Sequence, residues 1–144
     1  MGIASEGFLA TRRALGRPLA GSALARRVLL FGSVHDGGRL APDDARFMLQ
    51  ASSRGRRLRA AVEEAAACDL SSVIAEVRAP VGAIRGERDQ VVSAAAMRAL
   101  VAARPDTVEE SIADSGHVPQ LERPGEFVSA LERVLDGLTA VTDS

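Results

Sequence analysis

Several residue types are missing or nearly missing from this chain, and each absence narrows what the protein can be. The 144 residues include one cysteine and no lysine, asparagine, tyrosine or tryptophan, so phenylalanine supplies the whole aromatic content of 3%. Because Cys68 has no second cysteine to pair with, an internal disulfide is excluded, and we expect a reducing, cytoplasmic setting. The all-arginine basic set and the abundance of alanine indicate a GC-rich bacterial genome rather than a functional adaptation.

The same composition disfavours several kinds of partner. No window reaches the roughly 18 apolar residues that a membrane-spanning helix needs, and the N-terminus lacks the pattern of a secretory signal. The net charge of −1 attracts no nucleic acid, and the arginine cluster at 54–59 lacks aromatic side chains for base stacking. His35 and His117 form no metal-binding spacing. We therefore expect no metal or other cofactor, no nucleic acid and no membrane as partners.

Two turn motifs in the second half of the chain contain the chemically informative residues. The segment GERDQVVS (86–93) follows a short apolar run and places Asp89 just after a predicted strand. A Ser-Gly-His turn after a second strand-like run places His117 28 residues later (117 minus 89). A carboxylate and an imidazole on neighbouring strand-end loops are two of the three members of a hydrolytic triad.

This pairing, with the loop GHVPQLERP (116–124) that opens a final helix, resembles the C-terminal part of the α/β-hydrolase superfamily. In that superfamily the acid follows one late strand and the histidine follows the last, in the chain order nucleophile, acid, histidine. The resemblance runs from Asp69 to Leu138. It implies that His117 is the general base and that Asp89 is the acid that orients it. It also implies a nucleophile and an oxyanion hole that precede residue 1 of this sequence.

The resemblance implies an α/β protein with a partial α/β-hydrolase fold. Residues 1–75 would form a helical cap-like or lid-like region, and residues 76–144 would form the C-terminal lobe with the last two parallel strands and their helices. The hydrophobic pattern predicts matching elements. These are helices at 7–15, 22–31, 42–51 and 54–68, a strand at 81–86, a helix from a Ser93 cap to 104, a strand at 107–113 and a helix from Pro124. The last helix is predicted to carry an apolar stripe of Phe127, Leu131, Val134, Leu135 and Leu138.

A nucleophile is hard to find in the chain. No serine has glycine both two positions before and two positions after it, as the sharp turn of a nucleophile elbow requires. Ser53, in Ala-Ser-Ser-Arg-Gly, fits a relaxed form and is the one nucleophile candidate that we retain. It follows the predicted helix 42–51 instead of a strand, which favours a polar residue at a helix junction. Cys68 lies in an apolar alanine run, which favours a buried and inert thiol.

The resemblance implies a hydrolase-type protein of the α/β-hydrolase superfamily, acting on an ester, lactone or related carbonyl substrate by a Ser-His-Asp mechanism. Whether the chain is itself an enzyme stays open; without a nucleophile we expect a truncated chain that is inactive alone. The alternative is a non-catalytic interaction or dimerisation domain derived from a hydrolase. Two parallel strands leave the edge at 81–86 unpaired, so we expect a second copy or a complementing chain to cover it.

Overall fold

A computed structural model describes residues 12, 14–16, 18–54, 64 and 70–142 of the chain. Helices and strands alternate in its second half, as in α/β proteins. In chain order the elements are α1 (Ala23–Leu29), α2 (Pro42–Arg54), α3 (Leu70–Glu76), β1 (Gly82–Gly86), α4 (Ala94–Ala103), β2 (Val108–Ile112), α5 (Pro119–Glu122) and α6 (Pro124–Thr142). None of these described helices combines the length and the apolar character needed to cross a membrane.

Strands β1 and β2 pair in parallel and form the sheet of the described part of the chain. Their register sets Gly82 opposite Val108 and Gly86 opposite Ile112. Parallel neighbours need a long crossover connection, which α4 provides. The Ser93 hydroxyl caps the first turn of α4 by accepting a backbone hydrogen bond. Because both strands run in the same direction, the loops after Gly86 and Ile112 leave the sheet at the same end.

Helix α6 packs closely on the sheet, and glycine is required where the two meet. A Cβ on Gly82 would lie 2.4 Å from Cγ1 of Val134, and a Cβ on Gly137 would lie 2.9 Å from Cγ1 of Val108. Any larger residue at these two positions would therefore push helix and strands apart. Glycine is unusual inside a strand, and the contact with Val134 gives the reason for Gly82.

The buried face of α6 is narrower than the predicted apolar stripe. Ala130 and Val134, four residues apart, are buried, whereas Leu131 and Leu135 are 38% and 54% exposed. Successive residues of an α-helix are rotated by about 100°, so a leucine one position beyond each buried residue turns away from the sheet. The predicted stripe thus contains two faces, of which one packs and one is open.

The N-terminal half contributes an apolar core around α1, α2 and the loop between them. Its buried members are Ala20, Leu29, Leu30, Val34, Leu40, Ala45 and Leu49. Val118 and Leu121 pack against this core from the segment that follows β2. The helical half and the segment after β2 therefore share one packed interface, which lies directly beside His117.

A buried arginine holds the loop between α1 and α2 in place. Arg26 is only 7% exposed. Its guanidinium donates hydrogen bonds of 2.8 to 3.3 Å to the backbone carbonyl oxygens of Ala20, Gly21, Gly37 and Gly38. A buried cation requires such acceptors, and the four carbonyls in turn gain a donor. This network ties the loop at Gly37 and Gly38 to the segment that precedes α1.

Most of the predicted elements agree with the structure. The strands predicted at 81–86 and 107–113 are β1 and β2, and α2 extends the predicted helix 42–51 to Arg54. The predicted helices at 7–15 and 54–68 fall largely outside the described residues. Helices α3 and α5 were not predicted, because elements of 7 and 4 residues are too short to show helical periodicity. The division of the chain at residue 75 stays a prediction.

Candidate active site

Asp89 and His117 meet at the end of the sheet where both strands finish. Asp89 lies three residues after β1, and His117 lies five residues after β2. Oδ2 of Asp89 is 3.0 Å from Nδ1 of His117, although the two residues are 28 positions apart in the chain. The structure therefore brings together the two residues that the sequence motifs singled out.

The loop after β1 presents the Asp89 carboxylate in a fixed orientation. Its Oδ1 accepts hydrogen bonds from the backbone N–H groups of Val91 at 2.7 Å and Val92 at 3.0 Å. The second oxygen, Oδ2, then faces His117. The Asp89 side chain is 5% exposed, so the carboxylate is nearly enclosed by its own loop and the imidazole.

The pKa of Asp89 is lowered by these partners. Burial acts most strongly and by itself raises the pKa of the carboxyl group, because it disfavours the charged form. The hydrogen bond with His117, the two backbone N–H groups and the charge of a protonated imidazole act in the opposite direction and together outweigh it. Asp89 is therefore a carboxylate at neutral pH, as the acid of a triad must be to stabilise an imidazolium.

Close backbone contacts join the turn of His117 to the loop of Asp89. The Arg88 amide donates a hydrogen bond of 2.9 Å to the Ser115 carbonyl, and a Cβ on Gly86 would lie 2.2 Å from the carbonyl oxygen of Gly116. Asp114 turns the chain with a φ of 49°, a left-handed conformation that aspartate tolerates better than most residues. The carboxylate and the imidazole thus stand on two loops that touch.

The contact of His117 with Asp89 determines what its ring can do. A carboxylate accepts hydrogen bonds, so the proton of the neutral ring belongs on Nδ1, and Nε2 is left with a free lone pair. The His117 side chain is 42% exposed, so the ring can be reached from outside. An imidazole held in this way can remove a proton from a hydroxyl group and return it to a leaving group.

Glu122 is a further member of the site that sequence reasoning did not single out. Its Oε1 accepts a hydrogen bond from the Gly116 amide and its Oε2 accepts one from the His35 amide, both at 2.7 Å. One side chain thus ties the turn of His117 to the loop between α1 and α2. Glu122 lies inside the motif GHVPQLERP, so the sequence did draw attention to its segment. Its partners are backbone N–H groups, however, and a sequence motif does not show which backbone groups a side chain will bind.

A second imidazole lies close to a second carboxylate on the other side of the same turn. Nε2 of His35 is 3.9 Å from Oδ1 of Asp114, and Arg123 is 3.8 Å from Oδ2 of the same carboxylate. Both His35 and Asp114 side chains are well exposed, at 39% and 61%. This arrangement is looser and more exposed than the Asp89–His117 pair.

The described residues give no further evidence about the nucleophile. Ser53 lies in the last turn of α2, and its side chain is outside the described residues, as is Cys68. Among the residues that the structure describes, no group of three or more histidine, cysteine, aspartate or glutamate side chains is placed to hold a metal ion. The nucleophile prediction for Ser53 stays untested.

Comparisons with known proteins identify the architecture. No protein-family model matches the chain, and no curated protein matches it. Among solved structures, the chain is similar to the crystal structure of E-2-(acetamidomethylene)succinate hydrolase, with a TM-score of 0.53 and 22% sequence identity. The likeness covers 90% of this chain and 52% of that hydrolase, so the chain spans about half of its length.

A likeness at this level of identity shows the fold alone. The chain has part of the α/β-hydrolase fold, which confirms the predicted fold class of helices with a parallel two-stranded sheet. The catalytic roles of Asp89 and His117, and the cap-like role of residues 1–75, do not follow from shared fold and stay predictions.

Proposed function

We propose that this chain contains the base and the acid of a Ser-His-Asp hydrolase that acts on a carbonyl substrate. The observation that carries the proposal is the hydrogen bond of 3.0 Å between Nδ1 of His117 and Oδ2 of Asp89. Two loops that follow parallel strands hold this pair, and the carboxylate is almost completely enclosed while the imidazole is open. That difference in exposure suits an orienting acid behind a base that meets its substrate.

In this mechanism His117 transfers protons and Asp89 does not. Nε2 of His117 removes the proton from a serine hydroxyl as its oxygen attacks the carbonyl carbon, which gives a tetrahedral intermediate. The imidazolium then donates this proton to the leaving group as the bond between that group and the carbonyl carbon breaks, which leaves a covalent acyl-enzyme. In the second half of the reaction, His117 removes a proton from the water that attacks the acyl-enzyme, and returns it to the serine oxygen as the acyl–serine bond breaks. The Asp89 carboxylate stabilises the imidazolium in both steps.

The proposal requires a nucleophile and an oxyanion hole from outside the described residues. A base–acid pair without them retains only general-base catalysis, which is worth about 10²- to 10⁴-fold when the groups are well positioned. We therefore propose that the chain is inactive by itself and becomes a hydrolase when another polypeptide segment supplies the serine. An oxyanion hole usually contributes as much again, since removing one of its donors costs about 10²- to 10³-fold.

The substrate class is an ester, a lactone or a related carbonyl compound. The similar solved protein is a hydrolase of E-2-(acetamidomethylene)succinate, so this compound belongs in the panel of test substrates beside simple esters and lactones. The panel separates two outcomes. Similar rates on all carbonyl substrates would reflect only the deprotonation of the serine by the pair, whereas a preference for one substrate would show that the pocket of the completed protein selects among them.

The experiment is to translate the DNA upstream of Met1 in every frame, and to express the longest product that contains this chain. We expect a strand followed by a Gly-x-Ser-x-Gly turn, and an activity that His117→Ala abolishes and Asp89→Asn lowers by about 10⁴-fold. Asp136→Asn, which removes an exposed carboxylate from α6, is the matched control. Full activity in His117→Ala would refute the proposal.

A second candidate function is association with another copy of the chain. Two observations favour it: β1 pairs only with β2 within the described sheet, and α6 exposes the apolar side chains of Val128, Leu131 and Leu135. An unpaired strand edge beside an apolar face is a common place for protein contacts. A melting temperature that rises with protein concentration would support a dimer, and a constant one would argue for a monomer.

A further inference from the structure

We infer that Glu122 is a positioning residue for His117, through which the helical N-terminal half sets the location of the imidazole. The inference rests on the proposed function, because it assigns a role to a side chain that does not touch the reacting atoms. It extends that function by making the base dependent on the loop between α1 and α2, which lies 87 positions from Glu122 in the chain.

The hydrogen bonds of Glu122 carry the inference. Both carboxylate oxygens are used, one for the amide of Gly116 and the other for the amide of His35, each at 2.7 Å. Hydrogen bonds between a carboxylate and backbone N–H groups are short and strong. Gly116 immediately precedes His117, so its amide lies one residue from the residue that presents the ring. A shift of the loop therefore passes through one rigid side chain to the turn of the base.

Packing beneath the carboxylate makes the connection stiff. A Cβ on Gly116 would lie 2.7 Å from the amide nitrogen of His35 and 2.9 Å from the Cα of Val34, so the two backbones are in direct contact. Val118 and Leu121 pack on the apolar core that includes Val34. Apolar contact fixes the distance between the loop and the turn, and Glu122 fixes their mutual register.

The contact between His117 and Asp89, on the other side of the turn, depends on the connection through Glu122. His117 reaches Asp89 only if its turn stays against the loop after β1, where the Arg88 amide binds the Ser115 carbonyl at 2.9 Å. The turn at 114–117 thus lies between two neighbours. One is the loop that contains Asp89, and the other is the loop between α1 and α2 (the loop at 31–40). Without Glu122, apolar contact still keeps the loop near the turn but no longer fixes their register, and the imidazole is free to leave the carboxylate.

The test uses NMR of the histidine rings in ¹⁵N-labelled protein. The chain has only two histidines, so His35→Ala leaves a single ring and assigns the spectrum of His117. In the wild type we expect a resonance from the Nδ1 proton of His117, protected by its bond to Asp89. In Glu122→Ala we expect this resonance to disappear or to exchange with water at least about tenfold faster. Glu122→Gln, which keeps a single acceptor oxygen, should give an intermediate rate.

Controls separate positioning from general stability. His35→Ala keeps the backbone amide that Glu122 binds, so the His117 signal should be unchanged. Glu132→Gln, which removes an exposed carboxylate from α6, should also leave it unchanged. Circular dichroism at the same temperature confirms that each variant is folded. A purely structural role of Glu122 would lower the melting temperature but leave the Nδ1 proton of the folded protein as it is in the wild type.

Each outcome distinguishes this inference from the function on which it rests. If the wild type lacks the Nδ1 proton signal, the Asp89–His117 pair is not formed, and both proposals are refuted. If the wild type and Glu122→Ala both show the same protected signal, only the role of Glu122 is refuted. If Glu122→Ala does not fold, the role of Glu122 is tested instead by backbone amide exchange in the wild type and in Glu122→Gln. The amides of His35 and Gly116 must then both be protected in the wild type, and at least one must exchange faster in Glu122→Gln.

Discussion

Oδ2 of Asp89 lies 3.0 Å from Nδ1 of His117, and Oδ1 of the same carboxylate is occupied by the amides of Val91 and Val92. The carboxylate is therefore held from one side by its own loop and offers its free oxygen to the ring. The hydrogen bond places the ring proton on Nδ1 and directs Nε2 away from Asp89. This division of roles between the two nitrogens is the basis for the proposed chemistry.

The lowered pKa of Asp89 makes the stability of the protein depend on pH in a defined direction. A carboxyl group whose pKa is lower in the folded than in the unfolded protein stabilises the fold above its unfolded pKa, near the ordinary value of 3.8. That contribution is lost as the pH falls through the lowered pKa of the folded state. In urea unfolding, the wild type should thus exceed Asp89→Asn in unfolding free energy by about 1–3 kcal/mol at neutral pH.

The difference between the two proteins should become smaller as the pH falls below the unfolded value near 3.8 and through the lowered pKa of the folded wild-type carboxyl group. Asp136→Asn, with an exposed side chain, serves as the control and should follow the wild type over the whole range. An Asp89→Asn protein whose deficit grows as the pH falls would show that burial outweighs the hydrogen bonds of this carboxyl group and raises its pKa.

Alanine substitutions at two glycines should change the unfolding free energy in opposite directions. At Gly116 the new Cβ would lie 2.7 Å from the His35 amide, whereas at Gly125 nothing lies within 4 Å. Gly116→Ala should lower the unfolding free energy by about 1–3 kcal/mol. Gly125→Ala, in the first turn of α6, should raise it by up to about 1 kcal/mol. Equal effects in thermal unfolding would mean that the loop at 31–40 is not in contact with Gly116.

The hydrogen bonds from Arg26 to four backbone carbonyls should be essential for the stability of the N-terminal half. Arg26→Met removes the donor for four backbone carbonyls and should cost about 2–4 kcal/mol in urea unfolding. Arg39, on the same loop, has a side chain that is 71% exposed and is paired with Asp36. Arg39→Met should therefore cost no more than about 1 kcal/mol. If both substitutions have the same small effect, the guanidinium of Arg26 is not what holds the loop.

The chain by itself should show no enzyme-like hydrolysis of an activated ester such as p-nitrophenyl acetate. We expect a rate that is first order in ester and no faster per histidine than free imidazole, because the sequence contains no Gly-x-Ser-x-Gly turn. A saturable rate that His117→Ala abolishes would contradict this expectation and would place a nucleophile within this sequence. Ser53→Ala would then be the next variant to assay.

How far the sequence predicts this molecule depends on whether a feature is local. The pairing of Asp89 and His117 was predicted because each lies in a recognisable motif a few residues after a short strand, and parallel strands bring their ends together. Glu122 was missed because it binds the backbone amide of His35, which is 87 residues away. Backbone donors are present at almost every position, so no residue pattern marks the one that a carboxylate will reach.

The same distinction holds for the helices. Ser93 and Pro124 mark the starts of α4 and α6, since a capping hydroxyl and a fixed proline φ act within one turn. The exposure of Leu131 and Leu135 could not be predicted, because periodicity shows that a helix has an apolar face but not how wide the neighbouring surface is. Packing on the two-stranded sheet covers Val134 and leaves these two leucines open.

The central claim is that Asp89 orients His117 as a base, and the position of one proton tests it most directly. Long-range ¹H–¹⁵N spectra of the His35→Ala protein, in which His117 is the single histidine, show which ring nitrogen of the neutral imidazole is protonated. We predict a proton on Nδ1, and its loss to Nε2 in Asp89→Asn. A neutral ring that already has its proton on Nε2, with no change in Asp89→Asn, would contradict the account.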